Sequence, residues 1–113
     1  NTAGNVTYTV DEFIEGFILR DCAGSGRSDV TPTAAQIVAD IDSAAVGTAF
    51  RVLIKNTSDA AETITMTAGT GVTLSGTMTI AQNTSREFLC VLTNVSGSSE
   101  AATFYNLGEW THG

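Results

Sequence analysis

From Thr48 onward apolar residues recur at every second position, and this period of two constrains the fold more than any other feature of the chain. Phe50, Val52 and Ile54 alternate with Arg51, Leu53 and Lys55, and Ile64 and Met66 alternate with Thr63, Thr65 and Thr67. Val72 with Leu74, then Met78 with Ile80, repeat the pattern. Successive side chains of a strand point to opposite faces, so each run predicts a strand with one face in a core. Turns are expected at Asn56-Thr57-Ser58-Asp59, around Gly69, Gly71 and Gly76, at Ala81-Gln82-Asn83-Thr84 and at the Ser/Gly segment 96–99. Short strands at such spacing predict a mainly β chain, a small antiparallel β-sandwich or jelly-roll-like domain. The last strand is expected near residues 101–107, with 108–113 as a tail.

Phe88-Leu89-Cys90-Val91-Leu92 departs from the alternation, because it is apolar on both faces. Such a strand is either central or covered by a neighbouring subunit. Phe88, Leu89 and Val91, with Leu53, are therefore the candidate core or oligomer-interface residues. Phe50 to Asn56 and Phe88 to Asn94 echo each other, with Phe and Asn closing an apolar run, and read as two similar core strands. Only 15% of residues are charged, against about 25% in ordinary globular domains. So few charges leave little to keep a large bare surface soluble, and association with other subunits is expected.

The N-terminal half reads differently. Residues 1–10, with Val6, Tyr8 and Val10 alternating, suggest a short strand or extended arm. Asp11-Glu12-Phe13-Ile14-Glu15 after Thr9 fits a capped helical turn ended by Gly16. Phe17 to Arg20 reads as a strand, and residues 21–31 as a loop. Thr31-Pro32-Thr33, with Gln36 completing a capping box, then starts a helix. Ala34, Ile37, Val38, Ile41 and Ala45 share its apolar face, and Gly47 ends it.

The 113 residues fit one domain, residues 1–113. The net charge of −7, with Arg20, Arg27, Arg51, Lys55 and Arg86 scattered, argues against nucleic acid or an anionic membrane as partner. No stretch has the length of a membrane span, and no signal-peptide pattern opens the chain. The chain starts at Asn1, so a processed product, a cut domain or incomplete numbering is expected. Cys90 sits between Phe88 and Leu92 at strand spacing, where a free thiol acts as a small hydrophobe. Cys22 and Cys90 are expected as free thiols, with an intra- or intermolecular disulfide as the alternative.

No residue set supports catalysis. The single histidine, His112, stands at the chain end, and no Gly-x-Ser-x-Gly elbow is present. Two cysteines and one histidine do not make a zinc site. Asp40 and Asp42 have the spacing of alternate oxygen ligands but lack the later acid and glycine of a calcium loop. Asp11, Glu12 and Glu15 read as a solvated helix start, without the apolar pocket a glycosidase acid needs. Gly24-Ser25-Gly26 and Gly69-Thr70-Gly71 lack the lysine of a phosphate loop and read as turns. Asn5, Asn56, Asn83 and Asn94 stand in glycosylation sequons. Catalytic, cofactor and metal residues are thus expected to be none, and cofactors none. Tyr105 and Trp110 are candidates for a sugar-stacking platform, which gives a carbohydrate-binding or adhesin module as the alternative role.

Arg20-Asp21, Thr31-Pro32-Thr33-Ala34-Ala35 and Val46-Gly47-Thr48-Ala49-Phe50, followed by Asn56-Thr57, Ala68 to Gly76 and Thr93-Asn94, resemble the Thr/Gly-rich β-domains of phage and other viral structural proteins. Such domains serve as capsid-decorating knobs and as fibre or collagen-like tips. The likeness spans roughly residues 12–107. It implies a non-enzymatic virion component, a homotrimer at the virion surface contacting a capsid or fibre protein, or an extracellular protein if not viral. It carries over no binding residue.

Overall fold

The structure is a computed structural model and describes residues 4–111. A short helix α1 (Val10–Glu15) leads into β1 (Phe17–Arg20) and β2 (Arg27–Val30), followed by α2 (Ala34–Asp40). The rest is strand: β3 (Ala49–Asn56), β4 (Ile64–Thr67), β5 (Val72–Ser75), β6 (Thr79–Ile80), β7 (Thr84–Asn94) and β8 (Ala101–Thr111). Five strands form one sheet in the order β1-β3-β7-β8-β5, and three form another in the order β2-β4-β6. The mainly β class, with two short helices in the N-terminal half, is as the sequence predicts.

Strand direction is where the expected antiparallel arrangement is incomplete. β3–β7, β7–β8 and β4–β6 are antiparallel, but β1–β3, β2–β4 and β5–β8 are parallel. Parallel partners need a connection of about a dozen residues or more. The chain supplies this by carrying β2 and α2 between β1 and β3, and β6 and β7 between β5 and β8. Side-chain alternation is the same in either direction, so periodicity does not report it.

Both helices start on the predicted caps. Thr9 and Glu12 form a reciprocal capping box at α1, and Thr33 and Gln36 form another at α2. Gly16 ends α1 in the left-handed conformation that glycine adopts at no steric cost. α2 ends at Asp40, not near Gly47. Asp40, Asp42 and Ser43 compete for local backbone groups and favour turns over helix, and Ser43 itself has φ +58°.

Two further boundaries differ from expectation. Arg27–Val30, placed in a loop by its polarity, is β2, and its Asp29 is buried against Arg20. The expected tail is strand as far as Thr111, since β7 begins at Thr84 and offers β8 a partner along that length. Arg86 and Glu109 are register partners there and form an ion pair at 2.7 Å. In the segment expected as a short strand or extended arm, Thr7 makes a parallel bridge with Val30 and Tyr8 lies in the core. Residues 1–3 of the expected arm, and His112, lie outside the described residues.

The core gathers the inward residues of both sheets and the buried faces of the helices. Val52 and Ile54 of β3, Phe88, Cys90 and Leu92 of β7, and Phe104 of β8 meet Ile64, Met66 and Ile80 of the smaller sheet. Phe13 from α1 stacks on Phe104, with centroids 5.5 Å apart, and Phe104 stacks on Phe88 at 4.5 Å. Each such ring pair adds about 0.5–1.5 kcal/mol beyond the area it buries. The stack locks α1 to the large sheet and fixes which face of that sheet is left outward.

Candidate functional site

The outward face of the five-stranded sheet follows from register. Val52, Phe88 and Phe104 point inward, so their sequence neighbours Leu53, Leu89 and Tyr105 point outward. One row across this face pairs Phe17 with Leu53 and Leu53 with Glu87. The next pairs Arg51 with Leu89 and Leu89 with Tyr105, and beyond it Ala49 pairs with Val91 and Val91 with Thr103. At the other end Leu19 pairs with Lys55, Lys55 with Ser85 and Ser85 with Trp110.

The result is an apolar field open to solvent. Phe17 is 52% exposed, Leu19 62%, Leu107 43% and Trp110 53%. Lone surface hydrophobes need no explanation, but a contiguous patch marks a binding surface. Of the four predicted interface residues, Leu53, Leu89 and Val91 lie on this face, half-buried by their neighbours. Phe88 does not, being fully buried in the core. Tyr105 and Trp110 share the face but not a row, with Leu107 and Gly108 between them, so they do not stack side by side. Phe17 and Leu19 extend the patch and were not singled out from sequence. Their strand has only four residues, and the parallel pairing that brings it beside Leu53 leaves no local signature.

Charges on this face are of both signs. Arg20 is buried on Asp29, Arg27 donates to the carbonyls of Cys22 and Ala23, and Arg86 is held by Thr79, Asn106 and Glu109. The remaining two cationic residues, Arg51 and Lys55, both stand on the outward face of β3. Arg51 meets Glu87 only at 3.9 Å, with its side chain 68% exposed, an arrangement worth little on its own.

A recess of about 290 Å³ opens beside the N-terminal segment, with Tyr8, Glu12, Arg20 and Asp21 among its lining residues. Two of its polar side chains, Tyr8 and Arg20, are already engaged. The Tyr8 hydroxyl donates to Asp29 Oδ2 at 2.8 Å and the Arg20 guanidinium donates to both Asp29 oxygens. Burial, then the Asp29 carboxylate that accepts its proton, push the Tyr8 phenol well above its ordinary value. A proton so held is not available for acid–base work at neutral pH.

A second cluster lies where two loops meet. Asp21, Asp59 and Glu62 each place a carboxylate oxygen within 4.8 Å of the others. Asp21 and Glu62 stand in different connections, β1–β2 and β3–β4, so sequence spacing gave no sign of them. Asp40 and Asp42, the acids whose spacing did suggest ligands, are exposed. Asp11, Glu12 and Glu15 are also exposed, and Glu12 serves the capping box. Asn56 is fully buried and donates to the carbonyls of Glu62 and Ile80, which removes it as a glycosylation acceptor in the folded chain.

With the geometry in place, comparison with protein-family models, curated proteins and solved structures returns no match to this chain. The fold and its surfaces define a small mainly β domain with two mixed sheets around one core.

Proposed function

We propose that this chain is a non-enzymatic assembly module that associates with copies of itself through the outward face of its five-stranded sheet. The single observation behind this reading is the open apolar field of Phe17, Leu19, Leu53, Leu89 and Tyr105, bordered by Arg51, Lys55 and Glu87. In a chain of net charge −7, two copies would repel unless the contact pairs opposite signs. This face holds the two cationic residues not taken up by buried or loop contacts, so it is complementary to itself. The resemblance to phage and viral β-domains supports a trimeric virion component, a capsid decoration or fibre-tip protein.

Native mass spectrometry and sedimentation test the reading. The full chain is expected to form an oligomer, a trimer by the resemblance, and to bind assembled particles. Leu53→Glu with Leu89→Glu should release monomers that keep the native circular dichroism. A wild-type chain that stays monomeric and shows no affinity for particles would overturn the proposal. Exposure of Tyr105 and Trp110 on the same face favours glycan binding as the second reading. It requires retention on a glycan array and a change in Trp110 fluorescence, both lost in Trp110→Ala.

A further inference from the structure

The cluster of Asp21, Asp59 and Glu62 carries an observation that acidic clusters on a protein surface usually lack. Glu62 is 93% buried by its 7% relative exposure, and its Oε1 has no hydrogen-bond partner among the described residues. Its other oxygen, Oε2, accepts the Gly24 N–H at 3.1 Å. A carboxylate oxygen shielded from water without a donor is costly and calls for a partner that the described residues do not provide. No Lys or Arg among the described residues pairs with any of the three acids, the ion pairs being Arg20–Asp29, Arg51–Glu87 and Arg86–Glu109.

From this we infer that Asp21, Asp59 and Glu62 form a binding site for a divalent hard cation of calcium size. All three donors are carboxylate oxygens, the ligand type that calcium and magnesium prefer over zinc. Calcium–oxygen distances of about 2.3–2.6 Å allow two ligand oxygens to stand up to roughly 5 Å apart, so oxygens that lie within 4.8 Å of one another are near enough to share one ion. Magnesium dehydrates reluctantly and is usually held by only one or two carboxylates, so a set of three favours calcium. Water would complete the larger coordination number of calcium, since the carbonyls of Asp21, Cys22, Ala23, Ser58 and Glu62 already accept hydrogen bonds.

The loops that bear the ligands are already fixed to one another. Cys22 N–H donates to Ser58 Oγ at 2.9 Å, and Thr57 N–H donates to the Arg20 carbonyl at 2.8 Å. Asn56 holds the 56–62 segment through its Oδ1 to Ser58 N–H and its amide to the Glu62 carbonyl. Ala23 N–H holds Asp21 Oδ1 at 2.9 Å, and Arg27 ties down the carbonyls of the same loop. Asp21 follows β1 of the large sheet and Glu62 precedes β4 of the small one. A bound cation therefore staples the two sheets together at one end.

Calorimetric titration of the chelator-treated full chain with calcium chloride, alongside thermal melts, tests the assignment. One saturable site is expected in the range of extracellular modules, about 0.1–1 mM, with a rise of melting temperature at saturating calcium over chelator. Magnesium should act more weakly. Glu62→Gln and Asp59→Asn should each weaken binding by at least about tenfold. Asp59 is exposed, so its variant keeps the fold and separates lost binding from lost structure. Equal melting in calcium and chelator with no saturable heat would overturn the site, and so would undiminished binding in both variants. An equal response to magnesium would overturn the assignment to a calcium-sized ion.

Discussion

Arg20 and Asp29 join the two sheets through a two-point ion pair, Nε to Oδ2 at 2.7 Å and Nη2 to Oδ1 at 3.1 Å. Arg20 ends β1 of the large sheet and Asp29 lies in β2 of the small one, and neither side chain reaches solvent to any extent. The remaining acceptor capacity of Asp29 is filled by the Tyr8 hydroxyl and the Val6 N–H, and Arg20 also donates to the carbonyls of Gly4 and Asp21. A buried pair satisfied this fully is costly to break on one side only, because the surviving charge stays buried. Asp29→Asn should lose about 3–5 kcal/mol in urea unfolding. The double replacement Arg20→Met with Asp29→Leu should lose much less. A single variant within experimental error of the wild type would show that the pair does not hold the sheets together.

The same pair sets the acid limit of stability. Burial by itself would raise the Asp29 carboxyl, but hydrogen bonds from Arg20, Val6 and Tyr8, with the Arg20 charge, outweigh it and hold the group below its ordinary 3.8. A carboxylate lowered on folding stabilises the native state above its unfolded value and loses that contribution as pH falls through the folded value. Melting temperature should therefore be flat in this respect above pH 5 and fall below about pH 4. Asp29→Asn should lack that part of the acid slope. An acid limb identical in the two proteins would assign it to other carboxylates.

Most of the β framework was legible because one face of each strand is packed and the other is not. Phe50 to Ile54 and Ile64 to Met66 show this directly, and the capping pairs Thr9–Glu12 and Thr33–Gln36 mark both helix starts. β2 was hidden because its one fully buried residue, Asp29, is charged and is tolerated only by virtue of Arg20 in another sheet. The outward apolar face was half legible. Leu53, Leu89 and Val91 announce it within their own strands, whereas Phe17 and Leu19 join it only through a parallel pairing set by a long crossover. Asp21 and Glu62 show no pattern in sequence, since two loops distant along the chain create their proximity.

Cys22 and Cys90 are both buried and free, and burial pushes the Cys90 thiol up to about 12. Thiolate is the reactive form, so a native chain should resist thiol reagents at pH 8 and release two thiols when denatured. The sign at high pH follows from the same shift. A thiol whose value is raised on folding loses stabilisation as pH climbs from its unfolded value toward the folded one. Stability should fall between about pH 9 and 12 by up to about 1.4 kcal/mol per pH unit from Cys90, with Tyr8 adding to the decline above about pH 10. Cys90→Ala, compared with wild type in alkaline urea titrations, should show a shallower decline. Rapid labelling of the native protein would mean that Cys90 opens to solvent.

Gly69 and Gly97 offer a matched pair in which only one position is closed to a side chain. A Cβ on Gly69 would lie 2.5 Å from the Thr31 carbonyl oxygen and 2.8 Å from that of Pro32, both backbone atoms. Neither can move freely. Thr31 N–H is bonded to the Thr67 carbonyl, its hydroxyl accepts the Gly69 N–H and donates to the Pro32 carbonyl, and Pro32 leads into the first turn of α2. Gly97, in the turn between β7 and β8, has nothing within 4 Å of that position. Gly69→Ala should cost about 1–3 kcal/mol, the range for forcing a methyl into a packed site. Gly97→Ala should stay within about 0.5 kcal/mol of wild type, as surface changes do. Chemical denaturation of both variants side by side decides it, since a chain in which the segment before α2 yields would show two equal and small changes.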